Sequence, residues 1–213
     1  MSGGRGPLPR LHVVTTDEVA GAAGFLDAAT EVFEAGGPRV ALHLRHRTAD
    51  ARLYRQAEEL GRVAGETRSL LLISRRADIA LAAGADGVQL GTGALPAGHV
   101  RALLGPAAWL GVSIHGAEEA PAAGGAADYA MLGAVYATPS HTGRTPLGAE
   151  ELRRVARRTA LPVIAIGGIG SRRVAACLRA GAYGVAVVRA AWATPRPGRA
   201  VEELLESLED AVP

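Results

Sequence analysis

The chain has 213 residues, 48% of them hydrophobic and 21% charged, with a formal net charge of only +2. That size suits one domain with a sizeable core, and so weak a charge supplies no basic field for nucleic acid. All 23 basic residues are arginine, and lysine and asparagine are both absent, which excludes a Schiff-base lysine and a P-loop lysine.

Residues 1–10 are polar and glycine-rich, lack the apolar run of a signal peptide, and read as a flexible N-terminal tail. No later stretch approaches about 18 unbroken apolar residues, so no membrane span is expected. A cytoplasmic location is the corresponding expectation. From residue 11 to 213, short apolar runs alternate with helical patterns. In chain order the expected strands are Leu11–Thr15, Val40–Leu44, Leu70–Ser74, Gly87–Leu90, Trp109–Ser113, Tyr129–Gly133, Val163–Gly167 and Gly184–Val188. Amphipathic stretches such as Asp50–Ala64 and Ala149–Thr159 lie between them. Strands that alternate with helices pair in parallel, and runs apolar on both faces fit a sheet covered by helices. Eight such units predict an α/β fold of one kind, a single (β/α)8 TIM barrel over 11–213. A doubly wound open sheet is the alternative.

An internal repeat supports the barrel. Leu81-Ala-Ala-Gly-Ala-Asp-Gly-Val88 aligns with Leu178-Arg-Ala-Gly-Ala-Tyr-Gly-Val185, each a helix end, a glycine stop and the next strand. Asp86 and Asp128 open their strands, which puts them at the lower end, where barrel residues serve stability. The lone cysteine, Cys177, reads as a buried small hydrophobe.

Active sites of such barrels lie at the C-terminal strand ends. Strand two ends near His43, Arg45, His46 and Arg47, strand three at Ser74 and Arg75, strand four at Gln89, and strand five at Ser113 and His115. The long loop after strand six, rich in hydroxyls, carries Thr138 and Ser140 and suits a lid. Strand seven ends in Gly167-Gly168-Ile-Gly170-Ser171, beside Arg189 after strand eight. Adjacent glycines let a backbone approach an anion, Ser171 reads as the N-cap of the next helix, and loops seven and eight form the usual barrel phosphate site. His115 at the mouth can shuttle a proton near neutral pH. The histidines show no metal-ligand spacing, and no paired carboxylates stand at the mouth.

These residues, from about Leu11 to Trp192, resemble the thiamin phosphate synthase and TenI family. The matching stretches are Leu42-His-Leu-Arg-His-Arg47, Leu72-Ile-Ser-Arg-Arg-Ala-Asp-Ile-Ala-Leu81, Ala85-Asp-Gly-Val-Gln-Leu-Gly91, Gly111-Val-Ser-Ile-His115, Tyr136-Ala-Thr-Pro-Ser-His141 and Pro162-Val-Ile-Ala-Ile-Gly-Gly-Ile169. The synthase of that family joins a pyrimidine pyrophosphate to a thiazole phosphate with Mg²⁺. The resemblance implies that the thiazole-phosphate half is kept, with Thr138, Ser140, Gly167 and Gly168, while Arg189 replaces the family's usual serine. The metal half is altered: the family's Asn-Asp after strand three is Ser74-Arg75, the second metal carboxylate falls at Ala94, and the lid lysine is His141. Arg45 and Arg47 remain as anion partners.

This pattern is more similar to the TenI branch, which also lacks the metal carboxylates and also has glutamine at the Gln89 position. The resemblance therefore implies a thiazole tautomerase of thiamin biosynthesis, an isomerase with His115 as its proton-transfer residue. Arg45, Arg47, His43, Gln89 and Ser113 would bind substrate. Its partner would be a small thiazole phosphate; no metal or cofactor is expected, and a homodimer is. Two alternatives stay open: a thiamin phosphate synthase with a degenerate Mg²⁺ site, and a non-catalytic phosphate-binding barrel.

Overall fold

A computed structural model of the chain describes residues 5–45, 50–139, 143 and 145–211. His46, Arg47, Ser140 and His141 lie outside the described residues. Eight parallel strands close into a barrel in sequence order, β1 to β8. They are β1 Leu11–Val14, β2 Val40–Leu44, β3 Leu70–Ser74, β4 Gly87–Leu90, β5 Trp109–Ile114, β6 Tyr129–Gly133, β7 Val163–Ile166 and β8 Gly184–Val187. The expected strands are all present, with ends shifted by at most one residue.

Alternation along each strand divides the apolar residues into two layers. Val40, Leu42 and Leu44 of β2, Leu71 and Ile73 of β3, and Ala130 and Leu132 of β6 pack outward against the helices. Ala41, Leu72, Tyr129, Met131 and Ile164 fill the barrel itself. The helices that cover the outside are α1 Asp17–Gly21, α2 Phe25–Gly36, α3 Asp50–Thr67, α4 Ala77–Ala82, α5 Ala97–Leu104, α6 Gly148–Arg158, α7 Ser171–Arg179, α8 Arg189–Trp192 and α9 Pro197–Glu209. Between β5 and β6 the described chain forms only a single 3₁₀ turn, Pro121–Ala123. The Gly124-Gly125 pair that follows it is a poor continuation for a helix. None of the described helices is long and apolar enough to cross a membrane.

The inward positions are not uniformly apolar. His12, His43 and Gln89 are buried there, and Ser74 and Ser113 follow on the same inward faces one step higher. The upper half of the barrel is therefore polar, and this is what makes a site of it.

The lower end is closed by charge. Asp86 accepts from the Leu71 N–H at 2.8 Å. Asp128 accepts from the Leu110 N–H at 2.8 Å, from Arg5 at 2.8 Å and from Arg101 at 2.6 Å. Burial pushes the Asp128 carboxyl up, but these donors outweigh it and hold it below the usual carboxylate range.

Residues 5–10, expected as part of a loose tail, are instead packed under the barrel. Arg5 lies over the Trp109 ring at 4.4 Å, Leu8 is buried, and the Tyr183 hydroxyl donates to the Leu8 carbonyl at 2.6 Å. Their few apolar and charged groups find partners only in the folded barrel, so composition did not reveal them. Asp128→Ala is expected to cost about 2–3 kcal/mol, because it strands the Leu110 N–H and uncouples two guanidiniums. Asp128→Asn, which keeps an acceptor for Leu110, should cost less. Urea midpoints of the two variants check this.

Candidate active site

The C-terminal strand ends open into a cavity of about 650 Å³ lined by residues from the ends of all eight strands or the turns that follow them. Among them are His43, Arg45, Ser74, Arg75, Gln89, Ser113, His115, Thr138, Gly167, Gly168 and Arg189. Every expected site residue that the structure describes thus meets at one mouth. Arg47 and Ser140 fall outside the described residues.

The turn after β7 is shaped by its glycines. Gly168 has φ of +62°, and a Cβ there would stand 2.5 Å from the Ala137 carbonyl and 2.9 Å from the Tyr136 Cβ. The root of the loop after β6 therefore lies directly on this turn. Arg173, one turn into α7, hydrogen-bonds the Gly168 carbonyl and lies over the Tyr136 ring at 4.4 Å. Sequence reading missed Arg173, since its target is a backbone oxygen and a ring from another loop. The N-cap of α7 is Gly170, with extended backbone and no side-chain cap, and not Ser171 as expected. The first N–H groups of α7 have no intrahelical partner, and at this end of the helix they favour an anion.

His115 stands on the rim with 38% of its side chain exposed. Its Nδ1 lies 3.4 Å from Glu119 Oε2, and its Nε2 lies 3.5 Å from Thr92 Oγ1. Glu119 also accepts from the His115 backbone N–H at 3.1 Å. A carboxylate can only accept, so the ring proton belongs on Nδ1 and the lone pair on Nε2, the nitrogen nearer Thr92. Both contacts are long for hydrogen bonds. Glu119 was not singled out from the sequence, although its spacing of four residues from His115 was a usable signal.

Deeper in, Gln89 Nε2 donates to the Leu90 carbonyl at 3.2 Å and to Ser113 Oγ at 3.1 Å. His43 Nε2 lies 2.7 Å from His12 Nδ1, and both rings are fully buried. Burial lowers the His12 pKa to about 4, against a weaker upward pull from the Pro9 carbonyl. Burial and then the charge of His12 hold His43 well below its ordinary value. Below about pH 6.5 the unfolded chain binds protons that these folded rings refuse. Stability is accordingly full above that pH and falls as pH drops toward 4, by up to about 1.4 kcal/mol per pH unit for each ring. Denaturant unfolding at pH 7 and pH 5 should show that loss. A His12→Gln variant should lose less, because one of the two contributions is gone.

Arg75 follows β3 with φ of +68°, the left-handed region that a residue with a side chain rarely adopts. Its amide donates to the Gln89 carbonyl at 2.9 Å. With Arg45 and Arg189 it makes the mouth cationic, and no Asp or Glu is among the described residues that line it. Among the described residues no cluster of His, Cys, Asp or Glu could hold a metal ion. A Mg²⁺ ion needs carboxylate oxygens beside substrate phosphates, and the described lining does not fit it.

Fold and mouth together define the class: a closed parallel (β/α)8 barrel with a cationic cavity at its C-terminal end. The family model for thiamine monophosphate synthase (TMP-TENI) matches residues 11–191. A putative thiamine-phosphate synthase of Geobacter sulfurreducens is 40% identical over 201 residues, 93% of each chain. The chain belongs to the thiamine monophosphate synthase/TenI family. A thiamine-phosphate synthase of Gloeobacter violaceus is 45% identical over 141 residues, 66% of this chain but only 41% of that protein. Among solved structures, thiamine phosphate pyrophosphorylase from Pyrococcus furiosus superposes with a TM-score of 0.82 at 28% identity, covering 96% of this chain and 97% of that one. These likenesses support the family and the barrel; none of them singles out the TenI branch.

Proposed function

We propose that this protein is a thiazole-phosphate tautomerase of thiamin biosynthesis, acting in the cytoplasm. The observation that supports the reading is the composition of the mouth: a rim histidine, three arginines and a glycine turn, with no carboxylate among the described lining residues. Gly167, Gly168 and the start of α7 hold the phosphate, with Arg189 and Thr138 beside it. Arg45 and Arg75 hold the substrate carboxylate. His115 Nε2 takes a proton from the non-aromatic ring and returns one to the exocyclic carbon, so that no proton is gained or lost overall and the ring becomes aromatic. Glu119 keeps Nδ1 protonated and steadies the transient imidazolium. No step is routed through a metal.

The second reading, a thiamin phosphate synthase, is favoured by the names of the relatives, which include synthases alike over nearly the whole chain. Two assays separate the readings. Aromatisation of the carboxythiazole phosphate, followed in the ultraviolet, is expected without added metal. Coupling of the pyrimidine pyrophosphate to the thiazole phosphate is expected to stay at background when Mg²⁺ is added. Mg²⁺-dependent coupling would put the synthase first. Failure of both assays would leave a phosphate-binding barrel without this chemistry.

A further inference from the structure

Two consecutive carbonyls of the turn after β7 are held from outside it. The Gly167 carbonyl accepts from the Tyr136 N–H at 3.1 Å, and the Gly168 carbonyl accepts from the Arg173 guanidinium. A trans peptide points its C=O and its N–H in opposite directions, and both of these peptides are trans. The N–H groups of Gly168 and Ile169 are therefore turned away from Tyr136 and Arg173. Gly167, Gly168, Ile169 and Gly170 line the cavity, whereas Tyr136 and Arg173 do not. Neither N–H donates to another group among the described residues. Successive backbone N–H groups in a turn make an anion-binding concavity.

The two holds differ in kind. Gly167 is held by backbone, and the root of the loop after β6 packs so closely on it that a Cβ there would stand 2.6 Å from the Ala134 Cβ. Gly168 is held by a side chain. It has φ of +62°, and glycine has the widest conformational freedom of any residue, so the peptide that follows it needs an outside hold to keep one orientation. Arginine suits that task, because its planar guanidinium stacks on a ring and donates at the same time. Arg173 does both, lying over the Tyr136 ring at 4.4 Å while it bonds the Gly168 carbonyl. No carboxylate among the described residues draws it elsewhere.

We infer that Arg173 is a positioning residue of the phosphate site: it fixes the Gly168–Ile169 peptide in the orientation that offers the Ile169 N–H to an anion, and it ties that peptide to Tyr136. Its hydrogen bond matters here more than its charge. This role rests on the proposed phosphate grip at this turn but not on proton transfer by His115.

The test is calorimetric titration with inorganic phosphate at about 0.15 M salt, which screens distant surface charges, with ¹H–¹⁵N spectra of the same samples. In the wild type the Gly168 and Ile169 amide resonances should move as phosphate is added. Arg173→Met removes the donor and the stacked plane; affinity should fall about fivefold, the worth of one hydrogen bond, and the Ile169 shift should shrink more than the Gly168 shift. Arg173→Gln loses the charge but keeps an N–H for the Gly168 carbonyl, and should return affinity to within about twofold of wild type. Arg172→Met removes an equal charge from the same turn of α7, touches neither Gly168 nor Tyr136, and should also stay within about twofold. Thermal unfolding should be unchanged in all three variants, since both arginines are exposed. Equal losses in Arg173→Met and Arg173→Gln, or in Arg173→Met and Arg172→Met, would make Arg173 only a nearby charge and overturn the inference. Undiminished affinity in Arg173→Met, with wild-type amides that respond, would overturn it and leave the phosphate site standing. Wild-type amides that ignore phosphate would remove the phosphate site itself, and this role with it.

Discussion

Replacing His115 by Gln is expected to lower turnover of the carboxythiazole phosphate by about a hundredfold or more, the range that general acid–base catalysis supplies. Glutamine keeps a polar side chain of similar reach, but it cannot take up and return a proton near neutral pH. Affinity for the thiazole phosphate should stay within a few-fold, because the proposed phosphate grip is on the turn between β7 and α7 and does not use the imidazole. A fall in kcat at nearly constant KM is the signature of a group that acts in the transition state. Glu119→Gln should give a smaller loss of the same kind: its amide oxygen can still accept from Nδ1–H but no longer stabilises the imidazolium. The measurement is ultraviolet aromatisation by the three proteins. Wild-type turnover in His115→Gln would make this residue a bystander on the rim.

The second large effect is expected at the phosphate turn, where two neighbouring glycines should answer differently. Gly168→Asp must place a side chain in the left-handed region and against the Ala137 carbonyl, 2.5 Å from its Cβ. It should lose folding stability, on the order of 1–3 kcal/mol, along with phosphate binding. Gly170 has φ of −142°, and the nearest atom to a Cβ there is the Ala190 Cβ at 3.9 Å. As the N-cap of α7 it is a position where Asp is favoured over Gly by a few tenths of a kcal/mol. Gly170→Asp should therefore keep or raise stability while setting a negative charge where the phosphate would bind. At a separation of about 5 Å and an effective dielectric of about 20, the repulsion is roughly 3 kcal/mol per pair of unit charges, enough for about a hundredfold loss of affinity. Calorimetric titration with the thiazole phosphate, paired with thermal unfolding, reads both quantities. Undiminished affinity in a stable Gly170→Asp protein would move the anion site elsewhere.

Much of this protein is decided by local sequence. Strand runs such as Val40–Leu44 and Tyr129–Gly133 are apolar on both faces, and no register is needed to recognise them. The glycines at 167 and 168 are legible because a backbone that must turn sharply through positive φ admits little else. Arg75 and Ala94 stand where the resemblance to the family implies metal carboxylates, and no composition or spacing argument alone would single them out. What only the tertiary structure decided are contacts across the barrel and between its loops. His12 meets His43 because Val14 pairs with His43 and His12 with Ala41, which sets the two rings on neighbouring inward positions. Arg5 finds Asp128 and Trp109 across more than a hundred residues, and Arg173 reaches Gly168 and Tyr136 from the next helix. Local patterning sets which face of a strand points inward. Which inward residues touch is set by strand register and barrel closure, and these follow from packing all eight strands at once.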